Sequence, residues 1–283
     1  MAFNVRRLGA RDKRVQRLRR LLRRSSIRDT ERAFVAEGVK LVDAAIDAGA
    51  PVEAIFVAAD WQSSSPTTAL VERASRDGLA VFELGPGIME RVADTVSPQS
   101  VCAVVEAVDL GLGELLSRSE RDGDHSMVLV CVDVRDPGNL GAVLRIAGAT
   151  GVAGVICCAG TVDPFNPKVV RASAGAVFRV PLAASVKPVD ALEGLAESGF
   201  RCWATVPQGG MDYAVADLDG PTALVLGNEG AGLPVEVVAR LDGSLTIPMA
   251  EGTESLNVAM TVAVLCFDAV RRRRQSVREL RES

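Results

Sequence analysis

Five polar side chains, Asn139, Arg145, Glu229, Ser255 and Asn257, lie in three short blocks of the C-terminal half, each just beyond an apolar run. The blocks are DPGNLGAVLR (136–145), LGNEGAGLP (226–234) and IPMAEGTESLNVAM (247–260). Small residues and a few polar groups after a strand are how an open α/β sheet builds its ligand crevice.

In the first block, Pro137 and Gly138 force a turn, and Asn139 stands where a helix N-cap would. Arg145 follows six residues later among Leu140, Val143, Leu144, Ile146 and Ala147. A guanidinium there either snorkels to solvent or faces a cleft that receives an anion. A capping Asn with a structural Arg is the plainer alternative. No G-x-G-x-x-G run follows Val132, so the block is not a dinucleotide fingerprint.

In the second block, Gly227, Gly230 and Gly232 let the backbone approach a ligand closely. Glu229 among them disfavours a phosphate cradle, which wants N–H groups and a cation. A central carboxylate suits a ligand with positive charge or hydroxyls, such as a sulfonium nucleoside. In the third block, Ile247-Pro248-Met249 ends a strand, 252–254 makes a loop, and Ser255-Leu256-Asn257 opens a helix. Ser255 reads as a plain N-cap. Asn257 exceeds what capping requires, and that excess points to a site.

The elements that must position these residues alternate. Apolar runs predict strands at 127–132, 152–158, 177–180, 202–206, 223–226 and 244–247. Helical periodicity predicts helices over 140–150, 167–174, 189–198, 234–241 and 255–274. The result is an α/β fold, a mainly parallel sheet with helices on both faces. Upstream, helices at 14–24, 39–48 and 67–77 and strands at 52–57, 80–83 and 101–105 make a small α/β module. Residues 110–125 are Gly-rich, charged and weakly periodic, and read as a linker. The expected division is a basic segment 1–31, a small α/β domain 32–107, a linker 108–125 and a larger α/β domain 126–283.

At 283 residues and 48% hydrophobic composition, the chain can fill one large core or two modest ones. Its six cysteines lie mostly in apolar runs, without a CxxC pair or a metal-ligand spacing to the single histidine, His125. They read as buried reduced thiols of a cytosolic protein, with neither disulfide nor metal expected. The start lacks an apolar leader core, and no segment reaches the roughly 18 apolar residues of a membrane span. The net charge of −4 conceals an asymmetry: residues 1–32 carry twelve Arg or Lys against three acids, a net +9 that leaves −13 for the rest. A basic segment on an acidic body suggests a polyanion contact, or else a solvated basic helix with no specific partner.

Taken together, 127–274 resembles the catalytic domain of the SpoU–TrmH family of RNA ribose 2′-O-methyltransferases, in the SPOUT superfamily. The blocks match its D-P-x-N-x-G-x-x-x-R, G-x-E-x-x-G and I-P-M…S-L-N motifs. The stretch DPFNPKVVRASAGAVFRVP (163–181) looks like its N-P-K-x-x-R-x-S-x-G segment, and 32–105, with FVAEGVKLVDAA, looks like the substrate-binding domain of ribosomal-RNA-modifying members. Asp268 stands where many members carry Glu. The resemblance implies a deep C-terminal trefoil knot holding S-adenosylmethionine, and a homodimer with its cleft at the subunit interface. It places Arg145 beside the ribose hydroxyl with Asn139 next to it, while Glu229, Ser255 and Asn257 organise the cleft. Leu226, Gly227, Asn228, Gly230, Ile247, Met249 and Leu256 would surround the cofactor. Lys168 and Arg171, with Arg14, Arg17 and Arg20 of the basic helix, are candidate RNA phosphate contacts. Ribosomal RNA, 23S foremost, is the expected substrate. Transfer RNA, or a non-catalytic RNA-binding or ribosome-assembly role on the same fold, are the alternatives.

Overall fold

The computed structural model describes residues 5–93, 99–120 and 126–282. It separates into two compact units, Met1–Val108 with Phe165–Phe178, and Asp109–Pro164 with Arg179–Ser283. His125 and residues 121–125 of the expected linker lie outside the described residues, as do residues 1–4 of the basic segment and Ser283.

The first unit runs β1 (Arg6–Leu8), α1 (Lys13–Arg23), α2 (Ser25–Glu31), β2 (Ala33–Glu37), α3 (Val39–Asp47), β3 (Val52–Val57), α4 (Ser65–Arg76), β4 (Val81–Leu84), α5 (Ile88–Val92) and β5 (Val101–Glu106). Its sheet has the order β1-β4-β3-β5-β2, with β2 and β3 antiparallel to β5. Asp12 starts α1 by accepting the Arg14 N–H, and Val15, Leu18, Leu21 and Leu22 then fall on one buried face. Each such burial contributes roughly 1.5–3 kcal/mol, so the basic helix is anchored in the core by its leucines while its arginines line the outside.

The second unit runs α6 (Leu112–Glu120), β6 (Met127–Cys131), α7 (Pro137–Thr150), β7 (Gly154–Cys158), then, after α8 (Pro167–Ala172) of the first unit, β8 (Leu182–Val186), α9 (Pro188–Glu197), β9 (Arg201–Thr205), β10 (Met211–Asp212), β11 (Thr222–Leu226), α10 (Val235–Val238), β12 (Gly243–Thr246) and α11 (Val258–Glu282). The sheet order is β10-β12-β9-β11-β6-β7-β8, and the pairings among the described residues are all parallel. β6, β7 and β11 are buried along their whole length, as their unbroken apolar runs require.

Four local expectations are corrected. The strand expected at 177–180 is a single 3-10 turn, Ala176–Phe178, and the strand begins at Leu182 instead. Pro181 has no N–H to give a ladder, and Phe178 is drawn to stack on Phe34, 5.9 Å between ring centroids. Within the expected linker, Leu112–Glu120 is a helix whose Leu115 and Leu116 are buried in the core of the second unit; its apolar side is too short for periodicity to reveal. The helix expected over 234–241 is one turn, because Val235, Val237 and Val238 are poor helix formers. The last helix starts at Val258, three residues later than expected. β1, β2, α2 and α5 are additional elements, and β2 is entirely buried.

Candidate active site

β12, β9, β11 and β6 are neighbours in the sheet, and their carboxyl ends deliver the three blocks and Thr205-Val206-Pro207 to one edge. Blocks two and three, with Thr205-Val206-Pro207, line a cavity of about 430 Å³, within the range of roughly 300–1,000 Å³ for small-molecule sites.

Block two forms its own closed loop. Asn228 and Gly232 exchange backbone hydrogen bonds, both 3.0 Å. Gly227 passes beneath Gly232 so closely that a Cβ would lie 2.6 Å from the Gly232 carbonyl carbon. No side chain fits there, and Gly232 itself turns with φ +70°. The loop projects Glu229 outward, where Asn139 Nδ2 donates to Glu229 Oε1 at 2.8 Å.

Asn139 is held from beneath by Asp136, whose Oδ1 accepts the Asn139 backbone N–H at 2.8 Å and caps α7. The cap is thus Asp136 rather than Asn139, which frees the Asn139 amide for the site. On its other side, Asn257 Nδ2 donates to Asn139 Oδ1 at 2.8 Å. Asn257 Oδ1 accepts the Ala259 N–H at 2.9 Å, so Asn257 does cap α11, contrary to the sequence expectation, and joins the site as well. A backbone N–H only donates, so both amide orientations follow: Asn257 turns Nδ2 to Asn139, and Asn139 must turn its own Nδ2 to the carboxylate.

Ser255 is exposed on the cavity wall, ahead of the helix. Arg145 lies about 9 Å further along α7 than Asn139, from the helical rise. It is exposed and has no hydrogen bond or ion pair among the described residues. The structure therefore joins Asn139, Glu229 and Asn257 directly, lines the cavity with Ser255, and leaves Arg145 free on the adjoining helix.

Of the residues expected around a cofactor, Gly227, Asn228, Gly230, Ile247, Met249 and Leu256 line the cavity. Leu226 does not, being fully buried in β11. Thr205, Val206 and Pro207 also line it and were not anticipated; a Val-Pro pair just beyond a strand end was the available signal. Among the described residues Glu229 is the single ionisable side chain in the lining; Arg135, paired with Asp133, feels its charge but does not line the cavity. Aliphatic walls, backbone edges and one carboxylate fit an uncharged base joined to a cationic centre and do not fit a phosphate. S-adenosylmethionine has that composition.

A protein-family model described as the SpoU rRNA methylase family matches residues 126–267. The chain belongs to the SpoU rRNA methylase family. A second model, an MRM3-like substrate binding domain, matches residues 12–103. A 23S rRNA (guanosine(2553)-2′-O)-methyltransferase of Bacillus subtilis is 30% identical over 83% of this chain and 87% of its own length. A 23S rRNA (guanosine-2′-O-)-methyltransferase of Xanthomonas campestris is 34% identical over 73% of this chain and 83% of its own. The crystal structure of an AdoMet-bound rRNA methyltransferase from Sinorhizobium meliloti superimposes with a TM-score of 0.82 at 30% identity, covering 95% of this chain and 98% of that one. The expected α/β fold class and the expected methyl donor therefore agree with this SpoU membership.

In the first unit, the basic residues divide sharply. Arg14 pairs with Asp12 at 3.0 Å and lies 4.5 Å from the Phe82 ring centroid. Arg17 bridges Glu31 and Glu53, and Arg20 approaches Glu31 at 3.7 Å. Arg171 pairs with the buried Glu37 at 2.9 Å, while Lys168 is exposed. Arg19, Arg23 and Arg24 are exposed and have no acidic partner among the described residues. No helix among the described residues is long and apolar enough to cross a membrane, and no group of metal-ligating side chains occurs among them.

Proposed function

We propose that the protein transfers the methyl group of S-adenosylmethionine to a ribose 2′-hydroxyl of ribosomal RNA, 23S foremost. The observation that carries this reading is the Asn257–Asn139–Glu229 chain at the rim of a cavity whose walls suit the methyl donor. The cofactor supplies an electrophilic methyl on a sulfonium.

The chain's own residues supply position and charge. Gly227, Ile247, Met249 and Leu256 pack against the donor and exclude water, and Glu229 offers its carboxylate to the cation. Asn139 and Asn257 hold that carboxylate still, so no reorganisation is needed when charge moves. Arg145, free of any internal acid, receives the RNA phosphate and polarises the neighbouring 2′-hydroxyl. A guanidinium keeps its charge, so it acts by charge, and the hydroxyl proton leaves to the phosphate or to water. Ser255 offers a free hydroxyl to the ribose.

The first unit supplies RNA affinity, and the exposed Arg19, Arg23 and Arg24 are better placed for it than the ion-paired Arg14, Arg17 and Arg171. The C-terminal segment is threaded as a trefoil knot, and the protein works as a homodimer. Met260 and Phe267, 61% and 51% exposed and seven residues apart on α11, form an apolar stripe that a second copy covers. Six buried reduced thiols suit the cytoplasm, where the substrate is. Purified protein incubated with methyl-labelled donor and ribosomal RNA should place label in alkali-resistant dinucleotides. Label confined to transfer RNA, or absent, refutes the assignment.

A further inference from the structure

Asn228 carries an unusual load for a loop residue. Its Oδ1 accepts the N–H groups of both Gly230 and Ala231, each at 3.0 Å. Its Nδ2 donates across to the backbone carbonyl of Asp133 at 3.0 Å. The side chain therefore fills the inside of the block-two loop and ties that loop to the segment leading into α7. Asp133 is shaped for this bond. It adopts the left-handed backbone region, φ 58°, which costs a non-glycine residue energy and is seldom kept without a reason. The residues on either side of the tie are the ones that meet in the site: Glu229 follows Asn228 directly, and Asn139 stands six residues after Asp133.

We propose that Asn228 and the Asp133 carbonyl form a buckle that sets the distance between Glu229 and Asn139, making Asn228 a positioning residue that acts through Glu229. This inference rests on the methyltransferase reading of the same site. Its alternative, that Asn228 offers its side chain to the cofactor, leaves little of the amide over: the oxygen already accepts two bonds and the nitrogen donates one. Without the buckle, the loop still closes through the Asn228–Gly232 backbone pair, and what joins it to the first block's side is the Val132 N–H to the Leu226 carbonyl at the loop's base and the Asn139–Glu229 bond itself. A displacement of about 1 Å at a reacting site costs on the order of a hundredfold in rate.

Two variants separate the parts of the buckle. Asn228→Ala removes all three side-chain bonds. Asn228→Asp keeps an acceptor for Gly230 and Ala231 but sets a carboxylate against the Asp133 carbonyl, so the loop keeps its shape and loses the tie. Both should lower kcat by about ten- to a hundredfold. Adding Glu229→Ala to either should lower it no further than Glu229→Ala alone, because the buckle acts only through that carboxylate. Wild-type kcat in Asn228→Asp, or losses that multiply in the double variants, would overturn the proposal.

A second measurement needs no turnover. The Asn139 side-chain amide protons, held against the Glu229 carboxylate, should resonate downfield in the wild-type protein and move upfield in Asn228→Asp; an unmoved resonance also overturns the buckle. If the wild-type protein methylates no ribosomal RNA, the assigned function falls, and this resonance still decides the buckle.

Discussion

Asn257 donates to Asn139 across 118 positions of sequence, at 2.8 Å, while its own carbonyl oxygen caps the last helix. One side chain thus fixes both the start of α11 and the orientation of the amide that faces Glu229. Asn257→Asp separates the two roles. Aspartate still caps, so stability should change by less than about 0.5 kcal/mol, whereas Asn257→Ala should cost about 0.5–2 kcal/mol. The introduced carboxylate cannot donate to Asn139. If Asn139 flips to serve it, its oxygen then faces Glu229, so one bond of the chain is lost either way. Turnover should fall at least about tenfold with the melting temperature nearly unchanged; full turnover in a stable Asn257→Asp protein contradicts the relay.

Asn139→Asp tests the other end. Two carboxylates would then meet where Nδ2 now donates to Glu229 Oε1. Like charges at that separation favour protonation of one of them. The pH–rate profile should therefore lose activity at neutral pH and recover part of it toward acid. A profile superimposable on the wild type would mean the pair does not bear on turnover.

The basic helix gives a prediction in two halves. Charge reversal at Arg19, Arg23 and Arg24 should weaken RNA binding and flatten its salt dependence by about 0.7–0.9 in log–log slope for each phosphate left unneutralised. Reversal at Arg17 should instead cost stability, since it places a third acid beside Glu31 and Glu53. Salt-titrated binding and thermal melts distinguish these outcomes.

The thiols predict an alkaline limit. Burial pushes Cys158, Cys202 and Cys266 up to about 12 and raises Cys102, while the hydrogen bond with Cys131, followed by burial, raises Cys157, all from an ordinary value of 9.0. A raised folded-state pKa means the native state keeps protons that the unfolded state gives up above pH 9. This stabilisation is whole below pH 9 and is lost between 9 and 12, at about 1.4 kcal/mol per pH unit for each thiol titrating. Urea midpoints should fall steadily above pH 9, and iodoacetamide at pH 8 should leave all six thiols unmodified until denaturant is added.

Much of this was legible in the chain. The continuous apolar runs of β6, β7 and β11 announce strands buried on both faces, and the heptad-like leucines of α1 announce its buried side. Arg145 stood out because an apolar helix does not need it, and Asn257 because Ser255 read as the cap; the structure makes Asn257 both the cap and a site residue. The division of labour within the site was hidden, because it depends on groups distant in sequence. Asn139 meets Glu229 across 90 positions, and Asn228 spends its amide on Asp133 across 95. Likewise, twelve basic residues in one segment look equivalent in sequence, and only the fold brings Glu31 and Glu53 beside Arg17 while leaving Arg19 and Arg23 bare. The helix Leu112–Glu120 was missed because nine residues with two buried leucines give too little period to read.

Arg145 is the residue on which the assigned chemistry turns, and ribose methylation mapped across ribosomal RNA tests it most directly. Cells lacking the protein should lose one 2′-O-methyl mark, the wild-type gene should restore it, and Arg145→Ala should not, although the purified variant binds S-adenosylmethionine nearly as well as the wild type. Restoration of the mark by Arg145→Ala, or an unchanged methylation map in the protein's absence, would contradict the account.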